Sequence, residues 1–355
     1  GVDYRRDGDP TYVRPGNVRL WVIDTKTGDR RAIFGEHKKN LRGARWSPDG
    51  SRLAFMQFNG DVWEPVIWDR SSGKLTTLKT PAGKYVAENS DLRWSTDGAR
   101  LVYALRTQAW RKAVRDSFAN MTGGPIFVQN SKDPFLSWDA IRRMGSHQSV
   151  VAYDTKSAQT TEVLPEGKLS NYDISDDGSV AWFSEDVTKK TDYDVIFGTD
   201  NQLMSKRLDC GAQAAADCTK PRTLLATRKQ TQIQWAGDGK HYAYGKEGRV
   251  YLAAIGDTAV KQIAGPAAGQ RGGGAANAEA DTSKEARDRR AKERFSLSRY
   301  SPAGDALLIS NSEGMWLYDI AGASKELIVA TSDSDVTKPR IQVSTWSEDG
   351  KSLYF

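Results

Sequence analysis

Apolar and polar residues alternate along this chain in short runs, and the alternation restarts after the same small tetrad. Six segments carry the pattern: ARWSPDGSRLAF (44–55), LRWSTDGARLVY (92–103), YDISDDGSVAWF (172–183), IQWAGDGKHYAY (233–244), SRYSPAGDALLI (298–309) and STWSEDGKSLYF (344–355). Each has a large residue (Trp46, Trp94, Ile174, Trp235, Tyr300, Trp346), then Ser or once Ala, then any residue, usually Asp, always Gly, and then alternating apolar positions. The tetrad is a tight reversal: Ser and Asp side chains bond nearby backbone N–H groups, and Gly supplies the positive φ that the turn needs. The outgoing alternation predicts a strand with one face in a core. Asp is replaced once, by Ala303, and Gly304 remains, so the backbone demand is the stricter one.

A second hairpin follows most of these: LWVIDTKTGDRRAI (20–33), PVIWDRSSGKLTTL (65–78), VVAYDTKSAQTTEV (150–163), MWLYDIAGASKELI (315–328) and a weaker copy, VYLAAIGDTAVKQI (250–263). Hairpin plus hairpin makes four antiparallel strands, and such a unit repeated around an axis is a propeller blade. The expected fold is an all-β propeller of four-stranded antiparallel blades. The chain opens on the second hairpin of one blade and stops after the first hairpin of another, giving five complete blades and two halves. The halves either combine to close a six-bladed ring or belong to a seven- or eight-bladed parent cut at both ends; the cut parent is the favoured reading. All 355 residues form one domain in this reading, with insertions at 106–147 and 265–294.

In 106–147, Ala109 to Phe118 has helical composition and MTGG supplies a glycine stop. The aromatics Trp110, Phe127, Phe135 and Trp138, with Arg111, make this insertion the candidate surface for substrate or partner contact, against the alternative of a small local core. The other insertion begins as a Gly/Ala linker and ends in a mixed-charge run, with six basic and five acidic residues over 279–294 that nearly cancel. It reads as a solvated loop, with 284–294 either helical or disordered.

Composition narrows the partners. Net charge is +6, from 51 basic and 45 acidic side chains interspersed along the chain, which argues against a nucleic-acid face. No apolar run approaches the length of a membrane span. Cys210 and Cys218 lie in one small-residue loop; either they are bonded, which implies an oxidising compartment, or they are two tolerated thiols. The three histidines, His37, His147 and His241, are isolated in sequence, so neither a metal nor another cofactor is expected.

Catalytic signatures are missing from the sequence. It contains no G-x-S-x-G nucleophile elbow, no H-E-x-x-H, no phosphate-cradling G-x-x-x-x-G-K-[ST] and no G-x-G-x-x-G placed after a strand. The repeated Asp49, Asp97, Asp177, Asp238 and Asp349 occupy equivalent corners of different blades and read as turn formers rather than acid–base pairs.

The S-P-D-G hairpins and their L-W-V-x-D-x-x-T-G partners resemble the repeats of TolB-like propellers and of the propeller in prolyl oligopeptidase family serine peptidases. NVRLWVIDTKTGDRRAI, EGMWLYDIAGASKELI and PRIQVSTWSEDGKSLYF are closer to the dipeptidyl- and acylaminoacyl-peptidase relatives. The resemblance implies a non-catalytic propeller that gates or filters peptides for an α/β-hydrolase domain beyond Phe355, in a periplasmic or secreted bacterial enzyme. The alternative is a TolB-like envelope module that binds proteins. Some family members hold a substrate N-terminus with paired glutamates in a propeller insertion; 106–147 contains no Glu, so that mode is not carried over.

Overall fold

The tetrad turns form as the side chains dictate. In a computed structural model, Ser47 Oγ donates to Asp49 at 2.6 Å, Asp49 accepts the backbone N–H of Ser51 at 3.1 Å, and Arg52 N donates to Ser47 Oγ at 2.9 Å. The set recurs at Ser95 and Asp97 and at Ser347 and Asp349. The six tetrad glycines all have φ between 65° and 75°. Where Ala303 replaces the usual Asp, the carboxylate arrives two positions later: Ser301 Oγ donates to Asp305 at 2.6 Å. The substitution moved the turn's acceptor rather than deleting it.

The structure describes residues 8–355 apart from 36, 96, 127, 131, 176, 190–198, 211–217, 219, 229–230, 258, 268–282, 332–344, 348 and 355. It is all-β, of the propeller class, and its chain divides into two compact units, 1–174 with 178–223 and 224–355 with 175–177.

The first unit opens with the hairpin Trp21–Ile23/Arg30–Ala32. Its first blade comprises Lys39–Trp46, Arg52–Phe58, Trp63–Asp69 and Leu75–Thr77, with Asn17–Val18 added along the first strand. The second blade is built on Arg100–Thr107, which pairs Lys84–Val86 and Arg93–Trp94 on one side and His147–Asp154 on the other. The 15-residue strand Thr160–Ile174 pairs His147–Asp154 with its first half and Val180–Asp186 with its second, so it runs from the second blade into the third. Asn201–Arg207 and Arg222–Leu225 complete that third sheet.

The second unit holds the blade Thr231–Trp235, His241–Lys246, Arg249–Ala254 and Lys261–Ala264. Beside it are the blade Ser296–Tyr300, Ala306–Asn311, Gly314–Asp319 and Ser324–Ala330 and the hairpin Thr345–Trp346/Leu353–Tyr354.

One expectation needs correcting. The outgoing strands bury both faces, where the sequence predicts one in a core. Leu101, Tyr103 and Leu105 pack towards the first blade with Met56, Trp63 and Val151, while Val102 and Ala104 pack towards the third with Leu169, Tyr172 and Phe183. Because blades stack face to face, alternation sorts side chains between two cores. A fully buried side chain of this size contributes roughly 1.5–3 kcal/mol.

Among the described residues three helices decorate the sheets. The helix expected at 109–118 is α1, Gln108–Thr122, capped by the Thr107 side chain and ended at Gly123. A second helix, α2 (Ser137–Met144), was not anticipated: its N-cap, Leu136, makes no side-chain hydrogen bond. The mixed-charge run forms α3, Lys284–Glu293, capped by Ser283. Cys210 and Cys218 are joined in a disulfide.

Candidate functional site

The insertion at 106–147 is fastened to the first unit by a buried cation. Arg106 is the penultimate residue of the central strand of the second blade, and its side chain has no solvent exposure. Its Nε donates to the carbonyl of His147 at 3.2 Å, Nη1 to Thr11 Oγ1 at 2.5 Å, and Nη2 to Asn89 Oδ1 at 3.0 Å and the carbonyl of Gly145 at 2.5 Å. The indole of Trp110 lies under the guanidinium at 4.1 Å, and Asp9 stands 3.9 Å away. Burial pushes the Arg106 pKa down, opposed by Asp9, Tyr85 and Glu88. Arginine stays charged through such a shift, so the hydrogen bonds replace its lost hydration.

This hub ties together the N-terminal stretch, the second blade and both insertion helices. Val13 N donates to the buried Glu88 at 3.1 Å, and Asp9 accepts both the N–H and the hydroxyl of Thr11 at 2.8 Å. Burial also pushes the Tyr85 hydroxyl well above its usual range, and that of Tyr103 up to about 12. Half-buried His147 is shifted down by desolvation first and then by Lys168.

A second charged network sits on α2. Asp139, in its first turn, accepts from Arg142 and from Arg143, the latter at 3.0 Å. Arg143 also donates to Asp186 at 2.8 Å and lies over the ring of Phe135 at 4.2 Å. These side chains, with Ser146, Ser170, Thr199 and Asn201, line a cavity of about 390 Å3 between α2 and the third blade. Arg142 keeps 44% of its side chain exposed, and the buried Asn201 Oδ1 has no hydrogen-bond partner. The cavity thus places cations paired with carboxylates beside the unpartnered Asn201 Oδ1. It offers binding chemistry; among the described residues no group of three or more His, Cys, Asp or Glu side chains is placed to hold a metal ion.

The residues expected from sequence to make contacts are divided by the structure. Trp110 is only 5% exposed and donates its indole N–H to Met144, so it packs the base of the insertion. Arg111 makes a two-pronged pair with Asp61 of the first blade at 2.8 and 3.2 Å and covers Tyr85. Phe135 borders the α2 network beneath Arg143. Trp138 is exposed, edge-on to Phe118 at 6.2 Å. Phe127 lies outside the described residues. Sequence reading missed Arg106, Asp139, Arg142, Arg143, Asp186 and Asn201. The i,i+3 and i,i+4 spacing of Asp139 with Arg142 and Arg143 in SWDAIRRM was the one local signal available.

No protein-family model matches this chain, and no curated protein matches it. Solved structures similar to it include an oligogalacturonate lyase in complex with manganese, at 13% identity over 94% of this chain and 77% of that one, with a TM-score of 0.49. Others are TolB from Acinetobacter baumannii (13%, 86% and 58%, 0.38) and an acylaminoacyl peptidase from Pyrococcus horikoshii (13%, 88% and 41%, 0.39). The chain spans less than half of that peptidase and under two thirds of that TolB. The fold class rests on the blade topology described above, not on these likenesses.

Proposed function

We propose that this chain is the propeller region of a prolyl oligopeptidase-like serine peptidase, gating or filtering peptides for a hydrolase domain encoded beyond Phe355. In this reading residues 1–355 are one non-catalytic propeller domain, acting in the periplasm or outside the cell. The observation that carries it is the polar cavity at α2, built by the insertion and lined by Asp139, Arg142, Arg143 and Asn201. Its paired donors and acceptors match the alternating N–H and C=O groups of a peptide. The Cys210–Cys218 disulfide supports an oxidising compartment. Among the described residues no helix is long and apolar enough to cross a membrane.

The test is the reading frame. A G-x-S-x-G some 150–250 residues past Phe355, with labelling of the full-length product by a fluorophosphonate, is the expected result. A frame without a hydrolase domain overturns the peptidase reading in favour of a TolB-like interaction module.

A further inference from the structure

We propose that the cavity between the opening hairpin and the first blade binds a small polyanion that carries a ring or other flat apolar face. The proposal is independent of the peptidase reading. The cavity measures about 690 Å3, within the range of small-ligand sites. Lys26, Arg30, Arg31 and Arg70 line it, together with the carboxylates Asp24 and Asp29 and the indole of Trp46.

The two kinds of charge are not equally available. Asp24 accepts the backbone N–H groups of Lys26 at 2.8 Å and Thr27 at 3.1 Å, and these bonds hold its pKa below the usual range. Asp29 accepts the Thr27 hydroxyl at 2.8 Å. Both carboxylates are therefore engaged in the hairpin's own turn. Among the described residues, none of the four cations has a carboxylate within 4.0 Å, although Arg70 lies near enough to Asp24 to help hold its pKa down. Arg31 instead stacks on Trp68 at 5.1 Å and Arg30 on Trp21 at 5.4 Å. A guanidinium stacked by its face still presents the N–H groups along its edge, and those bind carboxylate or phosphate two at a time.

The lining sets four cations against two carboxylates, each with one oxygen bound in the hairpin's turn, and this excess of positive charge selects a ligand rich in anionic acceptors. A peptide backbone, with donors and acceptors in equal number, fits it poorly. Trp46 adds the second element of recognition. It is 44% exposed, although its neighbour Trp68, edge-on at 6.1 Å, is buried. An exposed indole on the wall of a cationic cavity offers a stacking surface for a ring that bears the anionic groups.

The experiment is calorimetric titration of the chain at low salt with four probes: citrate and methyl diphosphate, which lack a ring, and benzene-1,3,5-tricarboxylate and phenyl diphosphate, which carry a flat one at matched charge. The pairs also separate carboxylate from phosphate as the preferred group. The expected result is saturable binding, tighter for the ring-bearing member of the preferred pair and weakened by raising ionic strength. Replacing Lys26→Gln with Arg70→Gln, both exposed, should weaken binding by about 5- to 20-fold, with each exposed pair accounting for a few-fold. Trp46→Ala should erase the ring preference and leave binding of the ringless probe in place. Lys112→Gln on α1, the loss of a single charge elsewhere, should change nothing. The proposal is overturned by no saturable binding to any probe, by affinity indifferent to the double variant, or by an equal loss with Lys112→Gln. A ring preference that survives Trp46→Ala overturns the role given to that indole.

Discussion

At the residue scale the repeat exposes what each position is for. The second hairpins turn on an Asp whose carboxylate gathers backbone N–H groups, as Asp154 does with Lys156 at 2.9 Å and Ser157 at 2.7 Å. Four residues after that Asp the backbone enters the left-handed region: Gly28 has φ 77° and Gly73 70°, but the corresponding positions 158 and 323 hold alanines at 56° and 49°. An L-residue pays a steric penalty there that glycine does not. Ala323→Gly should therefore stabilise the chain by about 0.5–1 kcal/mol, and Gly28→Ala should destabilise it by about 1 kcal/mol. Nothing lies within 4 Å of an added methyl at Gly28, so that change tests the backbone alone. Paired urea unfolding curves give both signs; equal midpoints would refute the strain. The same turns set an acid limit. Asp69 is held down at about 2 by the hydroxyl of Ser71 and then the N–H of Ser72. In the unfolded chain it titrates near 3.9, so its contribution is complete above about pH 4 and is lost as pH falls through 2. The advantage of the parent chain over Asp69→Asn should shrink across that window in acid titrations.

At the element scale the structure departs furthest from what sequence could show. The turns and their strands were legible because each is a local bargain among five or six consecutive residues. Helix α1 was legible for the same reason, with Gly123 as its stop. The two-sided burial of Leu101 to Leu105 was not, since alternation reports two faces without naming what covers each. Nor was the hub at Arg106, whose partners Thr11, Asn89, Gly145 and His147 are scattered through the chain and contribute mostly backbone or short side chains. An isolated Arg at a strand end carries no sequence signal of such a role. Its removal should be costly: Arg106→Met leaves four acceptors and the nearby Asp9 without their cation, for a loss of about 3–5 kcal/mol. Hydrogen exchange should quicken first in α1 and α2. Exchange that quickens uniformly along the first unit would assign Arg106 a general rather than a fastening role. His147 adds a milder pH dependence, because its pKa is lowered on folding. Its contribution is present above the unfolded value near 6.5 and declines as pH falls through the folded one, so His147→Gln should flatten the stability profile on that limb.

At the scale of the whole molecule, loops hold neighbouring strands in place, and the Cys210–Cys218 bond closes one such loop between Asn201–Arg207 and Arg222–Leu225. A cross-link spanning 8 residues removes unfolded-state entropy worth about 2–3 kcal/mol in the loop-closure account. Cys210→Ser with Cys218→Ser should therefore lower the thermal midpoint, and a reductant should lower the parent's by the same amount while leaving the double variant unmoved. A reductant effect on the double variant would show that something other than the disulfide is being reported. The result also bears on where the protein works. A bond of this size lost in a reducing compartment would leave the third blade's outer strands less firmly held, next to the cavity that Arg143, Asp186 and Asn201 line. If the cavity binds peptides, reduction should weaken that binding and leave α1, which the Arg106 hub holds through Trp110, unchanged. Measuring peptide affinity and α1 hydrogen exchange on the same reduced sample separates the two. Weakened affinity with unchanged exchange ties the disulfide to the site; parallel loss of both would make it a support of the whole first unit.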